Sequence, residues 1–245
     1  MESGKSGGRS PQIEVEGDKG IESFDSEFSN ILSEVGSRRW KVKNLEGRGN
    51  IKEKRFIFII HNIVKVPANL PLRDRVYDGT LKLIFLSRIH HKKGIELLLE
   101  ALALVDFPFQ LSIVGEGDIE YVESLKLKVK NLGLEDCINW VGAVYGDEKF
   151  KLLAENDLFV LPSYNENFAN VVIESLAVGT PVLISDKVGL AQFVVKNELG
   201  LTHQHDVDSL LKELQHFTHT QGLTFKTYKD FTSLASKYKL MYHVD

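Results

Sequence analysis

Residues 158–184 read LFVLPSYNENFANVVIESLAVGTPVLI. The first four, Leu158 to Leu161, are apolar without alternation, and Pro162 ends the run. A polar loop follows. From about Asn170 to Val178 the apolar residues Val171, Val172, Ile173, Leu176 and Ala177 return at helical spacing, and Pro181 to Ile184 forms a second apolar run. This order is strand, loop, helix, strand. Strands that lack polar alternation are covered on both faces, and a helix between two of them is the crossover that parallel pairing requires. The stretch therefore predicts one unit of a parallel sheet with helices on its faces.

The same alternation extends toward the N-terminus. Leu81 to Ser87 predicts a strand, Gly94 to Val105 a helix, and Gln110 to Val114 a strand. Ile119, Val122, Leu125, Val129 and Leu132 fall on one face of a helix; Ile138 to Val141 predicts a strand and Glu148 to Glu155 a helix. The fold class is α/β, a doubly wound, Rossmann-like parallel sheet. Ligands of such sheets sit beyond the carboxyl ends of the strands, so the loops after Leu86, Val114, Val141, Leu161 and Ile184 are where chemistry belongs.

The flanks read differently. Residues 1–55, rich in glycine, serine and charge, are expected to be disordered or weakly helical, with Phe24, Phe28, Ile31, Leu32 and Val35 at helical spacing. Residues 56–80 are expected to hold a strand, Phe56 to Val66, and a proline-broken connector. The Rossmann-like domain is expected over 81–225, ending in a helix that carries Leu210, Leu211, Leu214 and Phe217. A last helix, with Phe231, Leu234, Tyr238 and Met241, is expected over 226–245.

A chain of 245 residues, 43% hydrophobic, can bury one good core and part of a second. Its net charge of -4 and pI near 6.1 give no reason to expect nucleic acid, which demands a basic face. Cys137 is the single cysteine, so no intrachain disulfide forms, and Cys137 to Val141 reads as a buried strand in a reducing compartment. No apolar run begins the chain, and none anywhere approaches the roughly 18 residues of a membrane span. The expectation is a cytoplasmic protein.

Three loops carry candidate residues. Ser87 to Gly94 (SRIHHKKG) places Arg88 and Lys93 where a helix begins, which suits a phosphate because helix N-termini also attract anions. A solvated basic turn is the competing reading. Gly115-Glu116-Gly117 permits close backbone approach by a ligand, or simply a turn after a strand. In the third loop Glu166 precedes a helix starting near Phe168 or Ala169, whose first amides, at Ala169 and Asn170, suit a diphosphate. Glu174 lies one turn beyond Asn170 on the same helical face. A carboxylate there can accept hydrogen bonds from two adjacent ribose hydroxyls, as in dinucleotide-binding folds; alternatively it caps the helix or pairs with Arg88.

At these residues the chain resembles the retaining glycosyltransferases built from two Rossmann-like domains (the GT-B fold), which include glycogen synthases, sucrose synthases and bacterial lipopolysaccharide and capsule transferases. The resemblance spans about Leu81 to Leu201. It rests on Glu166 and Glu174 separated by seven residues, then Ala177-Val178-Gly179-Thr180-Pro181-Val182, together with Ser87-Arg88-Ile89, Lys93-Gly94, Ile113 to Gly117 and Val141-Gly142 in family order. It departs at Asn167 and Ala169, where family members often carry glycine. The resemblance implies the C-terminal, donor-binding half of that architecture, with a reduced N-terminal appendage in residues 1–55.

By the same resemblance Arg88 and Lys93 hold the donor diphosphate and stabilise the departing nucleotide, Glu166 lies near the transferred sugar, and Glu174 holds the ribose. Gly115, Glu116, Phe168, Ala169 and Asn170 complete the donor site. The implied reaction moves a hexose, with retention, from a nucleotide-diphosphate sugar to a glycan or lipid-linked acceptor. It uses no cofactor and no metal, because basic side chains and helix amides neutralise the leaving group. The lipid-linked acceptor leaves room for contact with the inner membrane face. A non-catalytic module completed by a separate N-terminal-domain partner, and a sugar-nucleotide epimerase of the same architecture, are the competing functions. His203 with His205 on a strand face, and His216 with His219 on a helix face, have metal-compatible spacing without a supporting ligand. His90 and His91 flank the phosphate loop.

Overall fold

The apolar runs become six parallel strands. In the computed structural model residues 78–220 are described continuously, together with 64–67, 69–72 and the short strands Trp40–Lys41, Ile57–Phe58 and Tyr242–Val244. The strands are β1 (Leu81–Leu86), β2 (Phe109–Val114), β3 (Ile138–Gly142), β4 (Leu158–Leu161), β5 (Val182–Ser185) and β6 (Gly200–His203). Between and after them lie α1 (Ile95–Leu102), α2 (Ile119–Asn131), α3 (Glu148–Ala154), α4 (Asn170–Ala177), α5 (Ala191–Lys196) and α6 (Val207–Thr220). The spatial order is β3-β2-β1-β4-β5-β6, the doubly wound order of dinucleotide-binding folds.

Burial follows position in the sheet. Every residue of β4 and β5 is buried, since both strands have neighbours on each edge and helices on each face. In contrast β3 pairs, among the described residues, only with β2, and its residues are half-buried or exposed. Cys137 lies in a short 3-10 turn before this edge strand and is half-buried, so the expected buried strand is corrected. Helices α1, α2 and α6 pack together on one face, and α3 packs against α4 on the other.

The N-terminal ends of the central strands are tied by a reciprocal pair. Asp157 accepts the Lys82 N–H through its carboxylate (2.8 Å) and returns its own N–H to the Lys82 carbonyl (2.7 Å). Buried Asp157 thereby keeps hydrogen-bond partners. At the same N-terminal edge, where α4 leads into β5, the Ser175 hydroxyl donates to the Thr180 carbonyl (2.9 Å) and the Thr180 hydroxyl to the Leu153 carbonyl (2.8 Å). The Ala177 to Val182 stretch thus ends α4 and launches β5.

The helix expected from Ile119, Val122, Leu125 and Val129 forms as α2, although Ile119, its first residue after the capping Asp118, is itself 79% exposed. The expected strand Phe56 to Val66 is instead represented by Ile57–Phe58 and Val64–Val66, neither of which joins the six-stranded sheet. Val64 and Val66 are buried against α4, and Val64–Val66 pairs in parallel with Tyr242–Val244. The remainder of the helix expected over 226–245, and the weak helix around Phe24 to Val35, lie outside the described residues.

Candidate functional site

Strand order reverses between β1 and β4. The connection leaving β1 runs through α1 to β2, whereas that leaving β4 runs through α4 to β5, so the two loops diverge and open a crevice at the carboxyl edge. The loop after β1 carries Arg88 and Lys93; the loop after β4 carries Glu166. An ion pair between Lys93 Nζ and Glu166 Oε2 joins them across the crevice, with both side chains mostly screened from solvent.

Glu166 is also fixed through its main chain. Its N–H donates to the Lys187 carbonyl (3.3 Å) and its carbonyl accepts from the Gly189 N–H (2.8 Å). Thus the loop after β5 sets the first glutamate, a support that periodicity does not reveal. Phe168 is buried, which anchors the loop just before α4. α4 starts at Asn170, with no side chain capping its first turn. Ala169 precedes it in the left-handed conformation (φ 58, ψ 77), which gives the family's usual glycine at this point a backbone reason.

Glu174 is only 8% exposed. Its Oε1 receives Lys149 Nζ at 2.7 Å, from α3 packed alongside. The sequence reading offered Arg88 as a partner. Arg88 is exposed and lies across the crevice, and among the described residues no carboxylate is paired with it. Lys149 escaped notice because it stands in an ordinary charged helix, Glu148 to Lys151. The signal that could have found it is the need of a buried carboxylate for a cation.

The glycines after β2 have a structural use. A Cβ on Gly115, at φ +145, would lie 1.9 Å from the Ser87 carbonyl oxygen, and one on Gly117 would lie 2.1 Å from that of Ile89. The chain that approaches them is the Arg88 loop itself, held by Ser87 N–H to Val114 O (3.1 Å) and Ile89 N–H to Glu116 O (2.7 Å). Gly115 and Glu116 therefore position Arg88 from behind, while the Glu116 side chain is exposed.

Histidines and tyrosines rim the crevice. His90 stacks near His91 (centroids 3.9 Å), His91 meets Tyr121 edge-on (6.2 Å), and Tyr164 stacks with His205 (3.7 Å). His205 lies beyond the end of β6, so it shares no strand face with His203. His203 is buried, its Nδ1 donating to the Gln204 carbonyl (2.5 Å). Burial pushes its pKa down, partly offset by that hydrogen bond. His216 and His219 are exposed on α6. Burial, with Glu96 alongside, pushes the Tyr121 phenol up, so it stays protonated.

A six-stranded sheet of this order with a charged crevice at its reversal defines a Rossmann-like α/β domain. The chain belongs to the family of glycosyl transferases group 1, whose model matches residues 73–237. It is 32% identical over 152 residues to the amylovoran biosynthesis glycosyltransferase AmsK of Erwinia amylovora, a match covering 58% of this chain and 37% of that protein. The chain spans about a third of the length of the curated relatives it matches. The fold matches that of Anabaena HepE solved in complex with UDP-glucose (TM-score 0.58, 22% identity, 66% of this chain and 46% of that one). It also matches the C-terminal domain of a group 1 glycosyl transferase, LpcC from Francisella tularensis (TM-score 0.56, 18% identity), covering 65% of this chain and 86% of that domain. The sheet is thus the C-terminal half of the GT-B architecture. Among the described residues no helix is long and apolar enough to cross a membrane.

Proposed function

We propose that the crevice between the loops after β1 and β4 binds a nucleotide-diphosphate sugar, and that the chain serves a retaining hexosyl transfer to a glycan or lipid-linked acceptor. The observation that carries this reading is the pairing of both motif glutamates with lysines: Lys93 with Glu166 across the crevice, and Lys149 with Glu174 on α4, the helix that follows the Glu166 loop. Such a site is electrically balanced when empty and offers each partner of a nucleotide sugar a complementary group. The diphosphate takes Lys93 and Arg88, and the ribose diol takes Glu174. Glu166, released from Lys93, faces the sugar.

Departure of a nucleoside diphosphate builds negative charge on the leaving oxygen. Arg88 presents a planar fork of donors and Lys93 a compact charge, and both are supported from behind by main-chain contacts. These residues supply the neutralisation without a proton being moved. HepE, whose solved complex contains UDP-glucose, supports a uridine nucleotide as the first donor to test.

A second reading is a donor-binding module that completes its active site with a separate N-terminal-domain partner near the inner membrane face. It is favoured by one observation: the fold matches a C-terminal domain of a group 1 glycosyl transferase taken by itself, over 86% of that domain. Titration of the full chain with a panel of nucleoside diphosphates and their sugars tests both. Glu174→Ala should weaken uridine diphosphate binding at least about tenfold, the value of one good charged hydrogen bond. Equal affinity in that variant removes Glu174 from the ribose, and failure of the whole panel removes the donor site. Sugar transfer by the chain alone decides against the module.

A further inference from the structure

The turn that presents Lys93 has little packing of its own, since none of His91–Lys93 is buried. Besides its own turn bonds, Lys93 N–H to His90 O (2.8 Å) and Gly94 N–H to His91 O (3.1 Å), and the Lys93–Glu166 ion pair, three features hold it. His90, in an extended conformation, accepts the Lys92 N–H on its Nδ1 (3.1 Å). The Lys92 carbonyl accepts the Tyr164 N–H (2.9 Å), from the loop that carries Glu166. Gly94 closes the turn in the left-handed region with no room for a Cβ, which would lie 2.1 Å from the Pro162 carbonyl oxygen.

Lys92 is therefore clamped at both main-chain groups, by His90 on one side and by the Glu166 loop on the other. Loosening the first clamp frees Lys93 and the anchor of Tyr164 together. Serine, threonine, asparagine and aspartate are the usual caps of such turns. Imidazole accepts through Nδ1 only while that nitrogen is deprotonated. The groups acting on the ring favour that state: local loss of solvent first, then the charges of His91, Lys92, Arg88 and Lys93, all of which lower its pKa.

The geometry points to His90 as a positioning residue for the donor diphosphate, its neutral imidazole holding the turn that aims Lys93, so that protonation of His90 loosens the grip on the ligand. This rests on the donor-site reading above. It opposes the intuitive role of a histidine beside a phosphate. An imidazolium that touched the ligand directly would tighten binding as the pH falls.

The test compares the full chain with His90→Asn, a cap that does not titrate, and His90→Ala, which has none. Uridine diphosphate affinity is measured by calorimetry near pH 8 and near pH 5.5, on either side of the ordinary imidazole range, and amide hydrogen exchange at Lys92 is followed without ligand. Near pH 8 the unmodified chain and His90→Asn should bind alike and His90→Ala about fivefold more weakly. Near pH 5.5 the unmodified chain should fall behind His90→Asn, a ratio in which the ligand's own protonation cancels. Lys92 exchange should be faster in His90→Ala than in His90→Asn. Unchanged exchange, equal binding by His90→Ala near pH 8, or a gain of the unmodified chain over His90→Asn in acid overturns the proposal. If exchange responds as expected but no protein binds uridine diphosphate, the cap stands, and the donor-site reading fails together with the positioning role.

Discussion

The two ion pairs of the crevice are alike in chemistry and unlike in setting. Lys93 and Glu166 stand on two loops, and their side chains are 16% and 25% exposed; Lys149 and Glu174 stand on two packed helices, with side chains 25% and 10% exposed, so it is the glutamates that differ in burial. A pair between loops can exchange partners with a small shift of chain. A pair between helices can do so only if the helices move or a ligand enters beside it. The difference teaches that the Lys93–Glu166 end is the adaptable end, while the Lys149–Glu174 end is built into packed helices.

The largest effect expected from this contrast is on stability. Lys149→Ala leaves the Glu174 carboxylate buried without its cation and should destabilise the chain by about 2 kcal/mol, read as a shift in the urea midpoint. Adding Glu174→Leu should recover most of that loss, because the stranded charge is gone. If Lys149→Ala is neutral, the two pairs do not differ in the way their burial implies.

Lys93→Met should reverse the balance, costing less stability than Lys149→Ala because the loop that carries Glu166 can shift to hydrate its carboxylate, while weakening uridine diphosphate about tenfold. Calorimetry and urea unfolding on the same sample separate the two quantities. Equal effects on both would dissolve the distinction between an adaptable and a built-in end. A smaller change is expected at the start of α4, where Ala169 holds φ 58. Ala169→Gly relieves that conformation but loosens the unfolded chain, for a net stability gain of about 0.5 kcal/mol, read from a rise in the urea midpoint.

The smallest effect concerns acid. Because the folded pKa of His203 lies below its unfolded value, the unfolded chain binds the proton more readily. Its contribution is complete above the ordinary histidine range and is lost as the pH falls through it. His203→Asn should therefore flatten the acid limb of the stability profile while leaving the neutral limb parallel to that of the unmodified chain. An acid limb unchanged by the substitution assigns the loss to other groups.

Much of the sheet was legible beforehand, because a strand buried on both faces has to be uniformly apolar. Leu158 to Leu161 shows this directly, and its bounds match the strand. The edge strand was less legible. Its residues Ile138, Trp140 and Val141 look as apolar as a central strand's, yet at the edge of the sheet, with one strand neighbour among the described residues, they are half-buried. The candidate residues were legible as types in loops, but their partners were not.

By itself the sequence determined the alternation of strand and helix, the loops at the carboxyl ends, and the seven-residue spacing of Glu166 and Glu174, since each is a local pattern that a window of some twenty residues contains. Only the tertiary structure decided that Lys93 meets Glu166 across 73 positions of sequence and that Lys149 meets Glu174 across 25. It also decided that the glycines after β2 accommodate the Arg88 loop. Such pairings depend on which strands become neighbours, and strand order is set by the packing of the whole sheet rather than by the period of any one segment.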